Sequence, residues 1–179
     1  MRGYFGIGVE GISKEQNVGT IVRTAHSFGA QFFFAINPEL DIPALRVSDT
    51  SGAFDHLPYY HYKRAEDLAL PEACTLIGVE LVDRAAPLPS FRHPQRAAYV
   101  FGPEMGSLSE QTMRQCRHFV KIPMSFCVNV GVAAAIVMYD RMICLGKHAE
   151  RPIMPGQPII EDLKKGHTHR RKIRKKTEV

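Results

Sequence analysis

Three short polar islands stand at the ends of otherwise apolar segments in this chain of 179 residues. Asn17-Val-Gly-Thr-Ile-Val-Arg23 carries an amide and a guanidinium. Phe101-Gly-Pro-Glu-Met-Gly106 holds one carboxylate, Glu104, in a turn of glycine and proline. Ile122-Pro-Met-Ser-Phe-Cys-Val-Asn-Val-Gly131 holds a second amide, Asn129, where an apolar segment begins. A permanent cation, a carboxylate and two amides can bind and orient a polar ligand, and Gly/Pro turns at strand ends add backbone donors and acceptors. Each island also has a plain structural reading: a surface arginine, a tight turn and a helix N-cap. No metal is expected. Cys74, Cys116, Cys127 and Cys144 are scattered without a CxxC pair, and His167 and His169 sit in a basic run that makes a poor site. Cys116 and Cys144 stand in no motif and are assigned to the core.

Gly6-Ile-Gly-Val-Glu-Gly11 spells GxGxxG, the fingerprint of a dinucleotide-binding turn. The glycines begin inside a strand, the next helical pattern starts only near Asn17, and Gln31 stands about where a ribose-binding acid belongs. Small residues that let the first strand pack closely explain it better.

The elements that position the islands follow from periodicity. Gly3–Val9 and Gln31–Ile36 read as buried strands. Val18, Ile21, Val22, Ala25 and Phe28 mark one face of a helix, with Asn17 at the N-cap and Gly29 just past the end. The chain from Pro38 to Tyr62 is irregular, and a short helix is expected over Ala65–Leu70. Strands follow at Thr75–Leu81, Ala97–Phe101 and Phe119–Ile122. Ser107-Leu-Ser-Glu110 matches a capping box that opens a helix to about Cys116, and a last helix runs from about Asn129 to Gly146. Alternating strands and helices argue an α/β domain with a mainly parallel sheet flanked by helices. Clustered prolines mark a linker over Ala149–Pro158, giving a domain at residues 1–148 and a linker with a basic tail at 149–179.

The net charge of +5 belongs to the end of the chain: residues 163–179 carry net +7 and residues 1–162 net −2. Such a block gains affinity for a polyanion by counterion release, although it also suits a plain solubilising terminus. The longest apolar run is too short for a membrane span, no secretory signal is visible, and unpaired cysteines fit a cytoplasmic protein.

Taken together, Asn17–Ala30, Tyr99–Thr112 and Val120–Asp140 resemble, in order and spacing, the three motifs of the SPOUT superfamily in its SpoU/TrmH branch of RNA ribose 2′-O-methyltransferases. Thr50-Ser-Gly-Ala53 and Leu57-Pro58 resemble a further signature. The resemblance implies an α/β knot with a C-terminal trefoil, S-adenosylmethionine as cofactor, a homodimer with sites built from both subunits, and tRNA or rRNA as substrate. It places cofactor contacts at Val79, Glu80, Leu81, Gly102, Ile122, Met124, Cys127 and Val128, and the functional polar groups at Asn17, Arg23, Glu104 and Asn129. Arg23 is described in the family as a general base; its permanent charge suits it instead to stabilising a 2′-oxyanion, and the sequence does not choose between the two roles. The proton then leaves through water, a phosphate or Glu104. RNA phosphates are expected at Lys164, Lys165, Arg170, Arg171, Lys172, Arg174, Lys175 and Lys176. Two departures from the family stand out, Cys127 and Gly131 where serine is common. They lend weight to a second reading, a non-catalytic RNA-binding or assembly protein on the same fold.

Overall fold

A computed structural model describes residues 3–48 and 52–146. The linker and basic tail lie outside these residues, as do Thr50 and Ser51 of the further signature. In chain order the elements are β1 (Tyr4–Glu10), α1 (Glu15–Phe28), β2 (Phe32–Ile36), α2 (Ala53–His56), β3 (Tyr59–Tyr62), β4 (Thr75–Val79), β5 (Ala86–Pro87), β6 (Arg96–Phe101), α3 (Glu110–Gln115), β7 (His118–Lys121) and α4 (Val130–Leu145). Short 3-10 turns fill several connections.

The strands form one sheet in the order β3-β2-β1-β6-β4-β7-β5, and every pairing is parallel. Parallel strands send all their carboxyl ends to one edge, where the second and third polar islands also lie. Both faces are covered, which explains why β2 is an unbroken apolar run. Phe33 and Ala35 face a cluster shared with Val18, Ile21, Val22 and Ala25 of α1 and with Ala134, Val137 and Met138 of α4. Phe32, Phe34 and Ile36 face a second cluster with Ala98, Val100 and Leu108.

The glycines of β1 serve the second cluster. Gly6 is paired in register with Phe32 and Gly8 with Phe34. A Cβ on either glycine would run into the facing phenyl ring. GxGxxG is therefore a packing pattern here, as the strand reading expected.

Several local expectations need correction. Lys14, not Asn17, stands at the N-cap of α1, and Asn17 lies buried in its first turn. Ser109, not Ser107, caps α3: its Oγ accepts from the Thr112 backbone N–H at 3.1 Å. Serines at both positions precede acceptable helical residues, so spacing alone did not choose between them. Ala65–Leu70 forms only a 3-10 turn at Ala65–Asp67. Tyr59–Tyr62, read as irregular, is the edge strand β3, whose half-exposed Tyr/His sequence lacks a clean alternation. Cys116 is half-buried beside the second cluster, but Cys144 is exposed at the end of α4 rather than part of the core.

Asn129 does cap α4, accepting from the Gly131 N–H at 2.8 Å, and Gly29 closes α1 with φ 77°. That left-handed conformation favours glycine.

Candidate active site

The loops that follow β4, β6 and β7 enclose a cleft of about 400 Å³ at the carboxyl edge of the sheet. Its size suits a small-molecule ligand. The structure brings all eight residues expected near the cofactor to its walls: Val79, Glu80 and Leu81 after β4, Gly102 after β6, and Ile122, Met124, Cys127 and Val128 after β7. Lys14 and Lys121 also line it. Sequence reasoning passed over both: Lys14 is one charge in a polar stretch, and Lys121 is a lone lysine at the end of an apolar strand.

The loops are tied together by backbone-directed carboxylates. Glu80 accepts from the Leu108 N–H at 2.9 Å and from the Leu81 N–H at 2.8 Å, which joins the β4 and β6 loops. A Cβ at Gly102 would lie 3.0 Å from the Leu108 nitrogen, so a larger residue would require this backbone to shift by a few tenths of an ångström. Glu10, at the end of β1, accepts from the Ser109 N–H at 2.8 Å and from the hydroxyls of Ser109 and Thr112 at 2.6 and 2.7 Å. This anchor was missed. Its only signal in the sequence is an acid ending a buried strand.

Asn17, Glu104 and Asn129 meet in one hydrogen-bonded chain. Asn129 Nδ2 donates to Asn17 Oδ1 at 2.8 Å, and Asn17 Nδ2 donates to Glu104 Oε1 at 2.7 Å. Glu104 also accepts from the Ser13 N–H and hydroxyl and from the Lys14 N–H at 3.2–3.3 Å. Burial acts to raise the Glu104 carboxyl, but hydrogen bonds from Asn17, its own loop backbone and Ser13 outweigh it. The group sits below the usual carboxylate range. A carboxylate so held is a poor proton acceptor at neutral pH. The three residues link one island to the next, and this explains an amide at the head of an apolar helix: it closes the N-terminus of α4 and grips α1.

Arg23 stands apart. It is exposed on α1 and is not among the residues that line the cleft of its own chain. Six residues beyond Asn17, it is turned about 240° round the helix from the buried amide.

Gly131 has a structural cause. A Cβ there would lie 2.9 Å from Thr20 Cγ2 and 3.1 Å from Asn129 Oδ1. The methyl of Thr20 on α1 occupies the space a serine side chain would need. Cys127 is exposed in the cleft wall.

Beneath α4 lies a polar cluster that sequence reasoning also missed. Arg141 is 2% exposed. It donates to the backbone oxygens of Pro94 at 2.6 Å and Gln95 at 2.8 Å, and to the Tyr99 hydroxyl at 3.2 Å. With that hydroxyl accepting from Arg141, its own proton goes to His93 Nδ1 at 2.6 Å. His93 Nε2–H then donates to Asp140 at 2.8 Å.

A parallel sheet with a cleft at its carboxyl edge, walled by three loops that are joined by side-chain hydrogen bonds, defines an α/β protein built to hold a small ligand among the ends of its central strands. The chain belongs to the SpoU rRNA Methylase family, whose model matches residues 5–139. It is similar to the tRNA (cytidine/uridine-2′-O-)-methyltransferase TrmJ of Pectobacterium atrosepticum, with 25% identity over 86% of this chain and 71% of that protein. It is 26% identical to the tRNA (guanosine(18)-2′-O)-methyltransferase of Thermus thermophilus over 74% of this chain and 71% of that one. Its fold matches the crystal structure of the SpoU methyltransferase AviRb from Streptomyces viridochromogenes with a TM-score of 0.69 at 20% identity. The match covers 78% of this chain but only 59% of AviRb.

Proposed function

We propose that this chain transfers a methyl group from S-adenosylmethionine to a ribose 2′-hydroxyl of tRNA or rRNA. The observation that carries this reading is the convergence of the second and third motifs and the loop after β4, with all eight expected cofactor residues, on one cleft. The walls suit the cofactor. Val79, Leu81, Ile122, Met124 and Val128 offer apolar surface, while Glu80 and the loop backbone around Gly102 offer acceptors and donors. S-adenosylmethionine, when bound, supplies a methyl group already activated by its sulfonium.

The protein then aligns the two reactants and stabilises charge at the attacking oxygen. Asn17, Glu104 and Asn129 hold the motif loops in register. Arg23, exposed and away from its own cleft, serves the cleft of a second copy, where its permanent cation stabilises the developing 2′-oxyanion. The proton leaves to water or to an RNA phosphate, because Glu104 is committed to four hydrogen bonds.

A homodimer gives Arg23 that reach. The outer face of α4 carries Val132 and Tyr139, each about half exposed and two turns apart, an apolar stripe suited to self-association. The trefoil knot belongs to the same reading, with the chain after Ile122 threaded so that α4 packs on α1. The basic residues between 164 and 176 add phosphate contacts, and deleting them should weaken RNA binding and flatten its salt dependence. No described helix is long and apolar enough to cross a membrane. A cytoplasmic setting fits an enzyme acting on these RNAs.

The test is methyl transfer from labelled S-adenosylmethionine to bulk tRNA and rRNA, with the product mapped as 2′-O-methylribose. Arg23→Lys keeps the charge but loses the guanidinium fork. Its turnover is expected to fall about 100- to 1,000-fold. Wild-type turnover by this variant would sink the role of Arg23, and absence of any 2′-O-methyl product would sink the function.

A further inference from the structure

Two large apolar side chains are exposed on the loops that wall the cleft, and neither lines it. Phe126 is 86% exposed, between Met124 and Cys127, which do line the cleft. Met105 is 91% exposed, between Glu104 and Gly106, which also line it. Each loop thus turns its neighbouring residues inward and one apolar side chain outward at the mouth.

The charges nearby are asymmetric in availability. Glu80 and Glu104 are both engaged by backbone and side-chain donors. Lys14 and Lys121, also in the cleft wall, form no salt bridge among the described residues. The mouth therefore offers an aromatic face, a thioether and two ammonium groups, the combination that binds an unstacked base and its phosphates. The apolar stripe of α4 lies on a different element and is the surface suited to a second copy.

We propose that Phe126 and Met105 form a platform for the base of the acceptor nucleotide, so that the protein acts on a single-stranded, unstacked nucleotide and not on one held in a duplex. This rests on the reading that the cleft holds the methyl donor. A base in an A-form helix is stacked on both faces and presents none to a side chain. A nucleotide in a loop can splay its base onto Phe126 and so bring its ribose to the cleft. Stacking accepts any base face, so the platform selects strandedness while other contacts select sequence.

The experiment uses the full chain loaded with S-adenosylhomocysteine and a fluorescein-labelled single-stranded heptaribonucleotide, with the same strand in a duplex as control. Anisotropy is read at a salt concentration high enough to weaken phosphate contacts. Phe126→Ala is expected to weaken single-strand binding about 5- to 100-fold, with Phe126→Trp restoring it and duplex binding unchanged. Met105→Ala should give a smaller loss of the same kind. The proposal is overturned if Phe126→Ala binds the single strand as wild type does, or loses single strand and duplex equally. It is also overturned if Phe126→Ala loses S-adenosylhomocysteine affinity by calorimetry, which would place Phe126 in the cofactor cleft, or if it raises the dimer dissociation constant, which would make a second copy its partner. Failure of the wild-type chain to bind S-adenosylmethionine would instead sink the proposed function, independently of the oligonucleotide results.

Discussion

Asn129 donates its side-chain amide to the side-chain oxygen Oδ1 of Asn17 at 2.8 Å, joining residues 112 apart in the chain. The bond crosses from the head of α4 to the first turn of α1, and Asn17 passes it on to Glu104. A single buried amide thereby ties together the first turn of α1, the loop after β6 and the head of α4.

Replacing Asn17 by alanine should cost about 1–3 kcal/mol, because it leaves polar groups of Glu104 and Asn129 without their partner. Asn129→Ala removes the α4 cap as well, worth about 1 kcal/mol on its own. Urea denaturation of the two single variants and the double variant should show coupling of about 0.5–3 kcal/mol. Strict additivity would mean the amides do not act as a unit.

The contact between Thr20 and Gly131 predicts a rescue. Gly131→Ser alone should destabilise the chain by about 1–3 kcal/mol, since its Cβ meets the Thr20 methyl at 2.9 Å. In a Thr20→Ala background the same serine should be tolerated. Equal penalties in both backgrounds, read as thermal midpoints, would show that the clash is relieved elsewhere.

Gly8→Ala tests the packing of β1. The added methyl would displace the Phe34 ring, which is fully buried in the second cluster. Losing that ring from the core costs about 3–5 kcal/mol. The variant should fail to fold or melt far below wild type. S-adenosylmethionine affinity in any folded fraction should be unchanged, because Gly8 is not part of the cleft.

Acid should weaken the fold in two stages. Burial depresses the His93 imidazole below its ordinary 6.5, with Arg141 assisting and Asp140 opposing. Between the depressed value and 6.5 the unfolded chain holds more protons than the folded one, so stability falls as pH drops through that window. The Glu104 carboxyl, held below its ordinary 4.5, adds a second loss as pH falls below 4.5 through its folded value. His93→Gln should flatten the first slope and Glu104→Gln the second, read from urea midpoints between pH 7 and pH 3. An unaltered pH profile in His93→Gln would show that His93 does not set the first stage.

Much of this architecture was legible in the residues. Buried parallel strands announce themselves as apolar runs such as Phe32–Ile36, and the face Val18, Ile21, Val22, Ala25 marks α1 because only a helix brings those positions together. The ends were harder. Asn17 looks like an N-cap because Asn favours that position, yet its side chain is drawn inward by Glu104 and Asn129, and no local rule contains those partners. Arg141 shows the same limit. A cation inside an apolar helix looks misplaced until the backbone oxygens of Pro94 and Gln95 are brought against it.

The sequence by itself determined the alternation of strands and helices, the parallel sheet and the identity of the three polar islands, because each depends on spacing within a few residues. Only the tertiary structure decided that Glu104 is saturated, that Gly131 makes room for Thr20, and that Arg23 is exposed and does not line the cleft of its own chain. Those outcomes depend on contacts between residues up to about a hundred positions apart, and a linear pattern holds no information on which distant donor will meet which acceptor.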